Sequence, residues 1–292
     1  MDFAMTAPRR LLALPVVAIP LLVGCGGGST ETAGSEPVFV SFASLPTNGD
    51  VKVGGRYGNR PIGSPGGVLQ VTGSGTDGDG IVTLGYQSGA LVAISVEAGA
   101  VTLAFDPSDT ATEVGNFSFF EDMATNSFLL IRNPGGEFQY SSFGYGLVDG
   151  VQESILFGAF GAYTDPASIV TAAGASYSGE SVGIYFDSAG NAFLTAATIA
   201  ASTTDFSNIT VDATGSRRSP LAGGAAVDDS NLDFSGTVSI TGIGFSGTVS
   251  GTGGSGQVTG WFFGPSAAEL GGSAELEILG GDYIATFGAT KD

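Results

Sequence analysis

The sequence predicts an all-β fold whose C-terminal part closes as a small eight-stranded antiparallel barrel. Three observations lead there. First, 49 of 292 residues are Gly, without the three-residue period of collagen, which reads as many turns between short strands. Second, 20 Phe and 42% hydrophobic residues supply a packed core even though only 13% of residues are charged. Third, short apolar runs alternate with turn clusters, and no stretch keeps a helical period over three turns.

The C-terminal half is the more regular. Strands fall at about 174–186, 191–202, 206–216, 231–240, 242–251, 256–264, 271–279 and 281–290. Leu232, Phe234, Val238 and Ile240 share a face, as do Ile243, Phe245 and Val249, then Leu276 with Ile278 and Tyr283 with Phe287. Opposite positions are mainly Ser, Thr, Gly, Asp and Glu, so one face is expected buried and the other wet. Eight such strands close into a barrel just wide enough for side chains to fill.

Upstream, apolar runs at 38–45, 68–72, 81–86, 90–96, 101–105, 117–120, 127–131 and 152–159 alternate with turn clusters such as 73–80, 106–109 and 133–136. Their spacing is irregular, so the strand count is left open.

The N-terminus carries an export signal. Arg9 and Arg10 precede a short, Pro-broken apolar run that ends in small residues, too short to span a membrane as a helix. Leu22-Val23-Gly24-Cys25 resembles the bacterial lipobox, which implies cleavage after residue 24 and lipidation of Cys25, the only Cys. Two or more acyl chains anchor stably, at about 0.8 kcal/mol per buried methylene. Residues 25–36 form a lipidated Gly/Ser/Thr-rich tether. A transmembrane barrel is the rival reading. Trp261 is the only Trp, so two aromatic girdles are missing, the chain ends in Lys291-Asp292, and a lipid anchor would be redundant.

Charge and composition exclude several functions. Lys+Arg number 9 against 28 Asp+Glu, net −19, and the basic residues beyond the leader are scattered, so nucleic acid is a poor partner. Such acidity favours basic partners or reflects a salty habitat. With no His and one acylated Cys, His general-base catalysis, Cys nucleophiles and His/Cys zinc sites are ruled out.

A resemblance adds to this reading. Gly260-Trp-Phe-Phe-Gly-Pro-Ser-Ala-Ala-Glu-Leu-Gly-Gly272 and Phe287-Gly-Ala-Thr-Lys291 are similar to the C-terminal barrel of the transferrin-binding protein B family of surface lipoproteins. Gly264, Pro265, Ala267, Glu269, Gly271, Gly272, Phe287, Gly288, Ala289 and Lys291 fill the motif, and the likeness spans about 155–292. It implies a β-rich handle domain at 37–165, a barrel domain at 166–292, and display on the outer-membrane surface. Within the motif, Pro265 is expected to end a strand and Gly271-Gly272 to take positive φ and re-enter the sheet closely. Glu269 is expected to hold that connection by accepting backbone N–H bonds. Members bind host proteins such as transferrin or haemoglobin, and some bind haem. This chain has one handle-plus-barrel unit and no His, so haem would need Tyr, Met or contacts without ligation.

Other motifs are weighed as follows. Asp77 and Asp79 are spaced as in a calcium loop but lack its later acidic ligands, so a hairpin tip is preferred. Residues 251–256 spell Gly-x-Gly-x-x-Gly before a strand, not a helix, and read as a hairpin loop. Glu121-Asp122, adjacent on a strand, cannot face each other across a glycosidase cleft. Phe138, Tyr140, Phe143 and Tyr145 alternate; they fill a strand core or, if exposed, form a partner-binding patch. No catalytic residue, metal site or cofactor is expected. The leading function is capture of a protein or an iron- or haem-carrying ligand for nutrient acquisition. A structural or adhesion lipoprotein of the envelope is the alternative, and a carboxylate-dependent hydrolase ranks well behind.

Overall fold

A computed structural model describes residues 41–65, 68–148, 153–170 and 173–292, so the leader, Cys25 and the tether lie outside the described residues. The described part of the expected strand 38–45 is a short 3-10 turn at Phe42–Ser44, followed by irregular chain.

The first half contributes β1 (Gly49–Gly63), β2 (Gln70–Val71), β3 (Thr76–Gln87), β4 (Ala90–Ala98), β5 (Val101–Phe105), β6 (Thr110–Val114), β7 (Phe117–Asp122), β8 (Ser127–Arg132), β9 (Ser141–Val148) and β10 (Ser154–Gly161). They form one antiparallel sheet in the order β5-β4-β3-β1-β10-β9-β8-β7-β6, with β2 paired to β1. Its two edge strands, β5 and β6, are joined by the turn Asp106–Asp109 alone. The chain from Phe105 to Thr110 reaches at most about 19 Å. A flat sheet of this width would hold its edges about 38 Å apart. The sheet therefore curls on itself, bringing Phe105 of β5 to 5.8 Å from Phe120 of β7. Val53, Val82, Leu84, Ile94, Ile131 and Leu156 fill its hollow with them.

Residues 73–80 depart from the expected hairpin tip. Asp77 and Asp79 lie within β3, opposite β1; Asp79 pairs with Arg56 across its rung and Asp77 reaches diagonally to Arg60, at 2.7 Å each. Opposite charges on neighbouring strands continue the ladder where a turn was expected.

The second half contributes β11 (Ala175–Phe186), β12 (Ala192–Thr203), β13 (Asn208–Pro220), β14 (Val227–Asp228), β15 (Phe234–Thr241), β16 (Gly244–Ser250), β17 (Gly254–Phe263), β18 (Glu269–Ile278) and β19 (Gly281–Lys291). The order β12-β11-β19-β18-β17-β16-β15-β13 closes through β12–β13 pairing into the eight-stranded barrel the alternation predicts, with β14 an extra two-residue strand on β13. Leu232, Phe234, Val238, Phe245, Val249, Leu276, Ile278, Tyr283 and Phe287 point inward. Outward positions on β15 and β16 are Ser235, Thr237, Ser239, Ser246, Thr248 and Ser250, all exposed. The apolar face is inside, the reverse of a transmembrane barrel. Among the described residues no helix is long and apolar enough to cross a membrane.

One expectation fails in an informative way. The strands facing the other half are buried on both sides: β10 throughout, β9 up to Gly146, and much of β11, β18 and β19. The convex face of the curled sheet sits on the barrel wall. There Phe143, Ile155 and Phe157 meet Val182, Ile184, Phe263 and Ile284 in a third core.

Candidate binding site between sheet and barrel

Strong polar anchors hold the seam. Glu269, at the start of β18, is 3% exposed. Its carboxylate accepts from the backbone N–H of Gln139 (2.6 Å), Tyr140 (3.2 Å) and Ser141 (2.8 Å), and from the Ser141 hydroxyl (2.7 Å). The expected backbone bonds are there, but they come from the opposite half of the molecule. Burial raises its pKa above the ordinary carboxylate value, outweighing the downward pull of these donors.

Arg60 of β1, 8% exposed, donates from Nε and Nη2 to both oxygens of Glu275 on β18, at 2.6 Å each. Burial likewise raises the Glu275 pKa, although Arg60 draws it down. Arg132 of β8, 4% exposed, donates to Glu180 of β11 and lies 5.1 Å over the Phe138 ring. A buried guanidinium needs a carboxylate partner, and here the partner lies on the barrel. Sequence reading missed Arg60, Arg132, Glu180 and Glu275. One signal was present: Arg132 directly follows the apolar run Leu129-Leu130-Ile131 in β8.

The family motif is explained by the same seam. A Cβ on Gly288 would lie 2.5 Å from the Phe143 ring, and one on Gly271 would lie 3.0 Å from the Ala159 methyl. Gly264, at φ +72°, turns the chain beside Tyr140, whose ring would stand 2.5 Å from an added Cβ. Pro265 follows β17 and opens the turn, as predicted. Gly271 and Gly272 are not at positive φ; both sit in extended β18, and their use is close approach alone. Gly272 lies beneath the Phe287 ring inside the barrel. Ala267 and Ala289 are buried in the barrel core, and the Ala267 carbonyl accepts from the Tyr177 hydroxyl at 2.9 Å.

The aromatic quartet is not an exposed partner patch. Phe138, Phe143 and Tyr145 are buried, and Tyr140 is half-buried against them. Phe143 stands edge-on to Phe138 at 5.6 Å and to Phe117 at 6.0 Å. The reason is packing: Phe138 and Phe143 face Gly288 and Tyr140 faces Gly264 on the barrel, so the seam takes the contact area a partner would have used. Cys25 lies outside the described residues.

Along one flank the seam opens. Between β6–β9 and β11–β13 lies a cleft of about 300 Å3. Its sheet wall includes Phe119, Phe128, Leu130 and Tyr145; its barrel wall includes Val182, Leu194 and Ala196, with Glu121, Arg217 and Arg218 also lining it. Among the described residues no group of three or more acidic, His or Cys side chains is placed to hold a metal.

A family model described as the C-lobe and N-lobe beta barrels of Tf-binding protein B matches residues 169–291. A search of curated proteins gives no match. Among solved structures, the chain is similar to the haemoglobin receptor HpuA from Kingella denitrificans, at 14% identity and TM-score 0.43 over 86% of this chain and 90% of that one. It is similar to transferrin-binding protein B from Haemophilus parasuis, at 11% identity and TM-score 0.43 over 84% and 77%. The isotype 1 protein from Neisseria meningitidis gives 17% and 0.41 over 82% and 43%. The barrel spanning residues 169–291, built on this glycine-rich seam motif, has the transferrin-binding-protein-B-like fold.

Proposed function

We propose that the chain is a lipid-anchored surface protein, not an enzyme, that captures a protein partner carrying iron or haem for nutrient acquisition. The observation that carries this reading is the match of residues 169–291 to the barrels of transferrin-binding protein B. The lipobox ending in Cys25 supports attachment at the outer membrane. The acidic balance, net −19, favours a basic contact surface on the partner. Because the aromatic quartet is buried, capture falls to the hairpin loops at the ends of the sheet and barrel. Lacking His, the chain receives haem inside its protein carrier rather than on a His ligand of its own.

The test is capture by full-length, lipidated protein displayed on cells or in envelope vesicles, exposed to host fluid. Bound proteins are identified by mass spectrometry and bound iron by elemental analysis. Stoichiometric recovery of one iron or haem carrier supports the proposal. A blank from folded, surface-exposed protein overturns it in favour of an envelope or adhesion role.

A further inference from the structure

The proposed function does not use the cleft on the flank of the seam. Along the middle of the seam β10 is buried throughout and β9 up to Gly146. At the cleft the sheet and barrel walls leave about 300 Å3, roughly twice an apolar cavity that admits one benzene ring.

Both walls are built by strand alternation. Phe119, Leu130 and Tyr145 are cross-strand neighbours on the convex face of β7, β8 and β9. Phe128 packs between Phe119 (5.7 Å) and Tyr145 (6.2 Å). Opposite, Val182, Ala196 and Arg217 are rung neighbours on β11, β12 and β13, with Leu194 beside Ser219 one step along. Tyr145 and Val182 are buried, whereas Phe119, Phe128 and Leu194 remain half-exposed. Half-exposed aromatics facing an apolar wall are what a small apolar ligand would cover.

Charge selects the ligand. Arg218 is committed: its guanidinium lies 4.5 Å over Phe193 and pairs with Asp229 at 2.9 Å. Arg217 is not. Among the described residues its one ion pair runs through Nε to Asp228, whose side chain is 90% exposed, and such surface pairs are worth about 0–1 kcal/mol. Its terminal nitrogens are left to grip a carboxylate. Glu121 on the opposite wall repels an anion from that side and so aims a head group at Arg217.

We propose that this cleft binds a small amphipathic carboxylate, with an apolar body of about two aromatic rings between Phe119, Phe128 and Leu194 and its anion at Arg217. The geometry makes the two parts separable. The body is held by the walls, the charge by Arg217.

The test uses the full chain carrying Cys25→Ser, which has no acyl chains and is handled without detergent, with 2-naphthoate and the neutral 2-naphthalenemethanol as probes. The proposal expects saturable one-to-one binding of naphthoate, weakened about tenfold in Arg217→Gln, while the alcohol binds both proteins equally. Ala196→Trp, at an exposed position in the cleft, fills it and abolishes binding of both probes. Circular dichroism confirms that each variant is folded, and the exposed position of Arg217 keeps that arm readable if Ala196→Trp misfolds. No saturable binding below about 1 mM overturns the proposal, since that is weaker than a specific apolar site provides. So does binding that survives Ala196→Trp, or naphthoate affinity indifferent to Arg217.

Discussion

Ser141 gives both its backbone N–H (2.8 Å) and its hydroxyl (2.7 Å) to one oxygen of Glu269, a residue 128 positions away in the other half of the molecule. Each half folds around its own core, yet this carboxylate ties the start of β18 to the start of β9. Removing it leaves the buried N–H of Ser141 and the part-buried N–H groups of Gln139 and Tyr140 without this acceptor. Glu269→Ala should cost about 3 kcal/mol, lowering the thermal midpoint by about 6–12 °C. Calorimetry checks this, and an unchanged midpoint would show that water replaces the carboxylate without loss.

The same residue sets a pH dependence. Its folded pKa is raised above the ordinary value of 4.5, so the native state holds a proton that the unfolded chain has released. Unfolding therefore releases a proton in the window above 4.5, and this contribution to stability is lost as pH rises through the raised value. Glu269→Gln does not titrate. The stability advantage of the wild type over Glu269→Gln should shrink as pH rises from 4.5 toward neutrality, measured by denaturant unfolding at each pH. A growing advantage would mean that the donors outweigh burial.

Gly288 allows Phe143 to seat on the barrel. Gly288→Val should overpack that contact and cost about 1–3 kcal/mol. Gly78, on β3, offers a control, because a Cβ there meets nothing within 4 Å. Gly78→Ala should stay within about 0.5 kcal/mol of wild type in the same chemical denaturation. Equal effects at the two positions would sink the close-approach account of the motif.

Arg60 and Glu275 form a two-toothed bridge across the seam. Arg60→Met keeps the stem and removes the charge, and should cost about 1–3 kcal/mol. Because Glu275 loses its partner in that variant, adding Glu275→Gln should recover part of the loss. A double-mutant cycle is expected to give a coupling of about 1 kcal/mol or more. Strict additivity would mean that the two residues act independently.

The barrel was legible because alternation over eight strands has one physical cause, an apolar interior and a wet exterior. Phe234, Val238, Phe245, Val249, Leu276, Ile278, Tyr283 and Phe287 face inward as their period demands, whereas Leu232 enters the core from the 3-10 turn Ser230–Leu232 and Ile240 and Ile243 stay half-buried. The motif around Glu269 was legible as a pattern, and its glycines were recognised, but the neighbours Tyr140, Ala159 and Phe143 that require Gly264, Gly271 and Gly288 lie more than a hundred residues away. Asp77 and Asp79 looked like a turn because their Gly-rich surroundings carry turn chemistry; their cross-strand partners Arg56 and Arg60 override it.

Local sequence thus determined the eight barrel strands and most of their inward faces, since these depend on neighbours within a few residues. Tertiary structure alone decided the rest. It curled the first sheet by joining its edge strands, buried Phe138, Phe143 and Tyr145 in a seam, and paired Arg60 and Arg132 with carboxylates on the barrel. The same docking left Leu194 opposite Phe128 across a cleft. Period-two patterning records which side of a strand is apolar, but not whether its other face meets water or a second wall of protein.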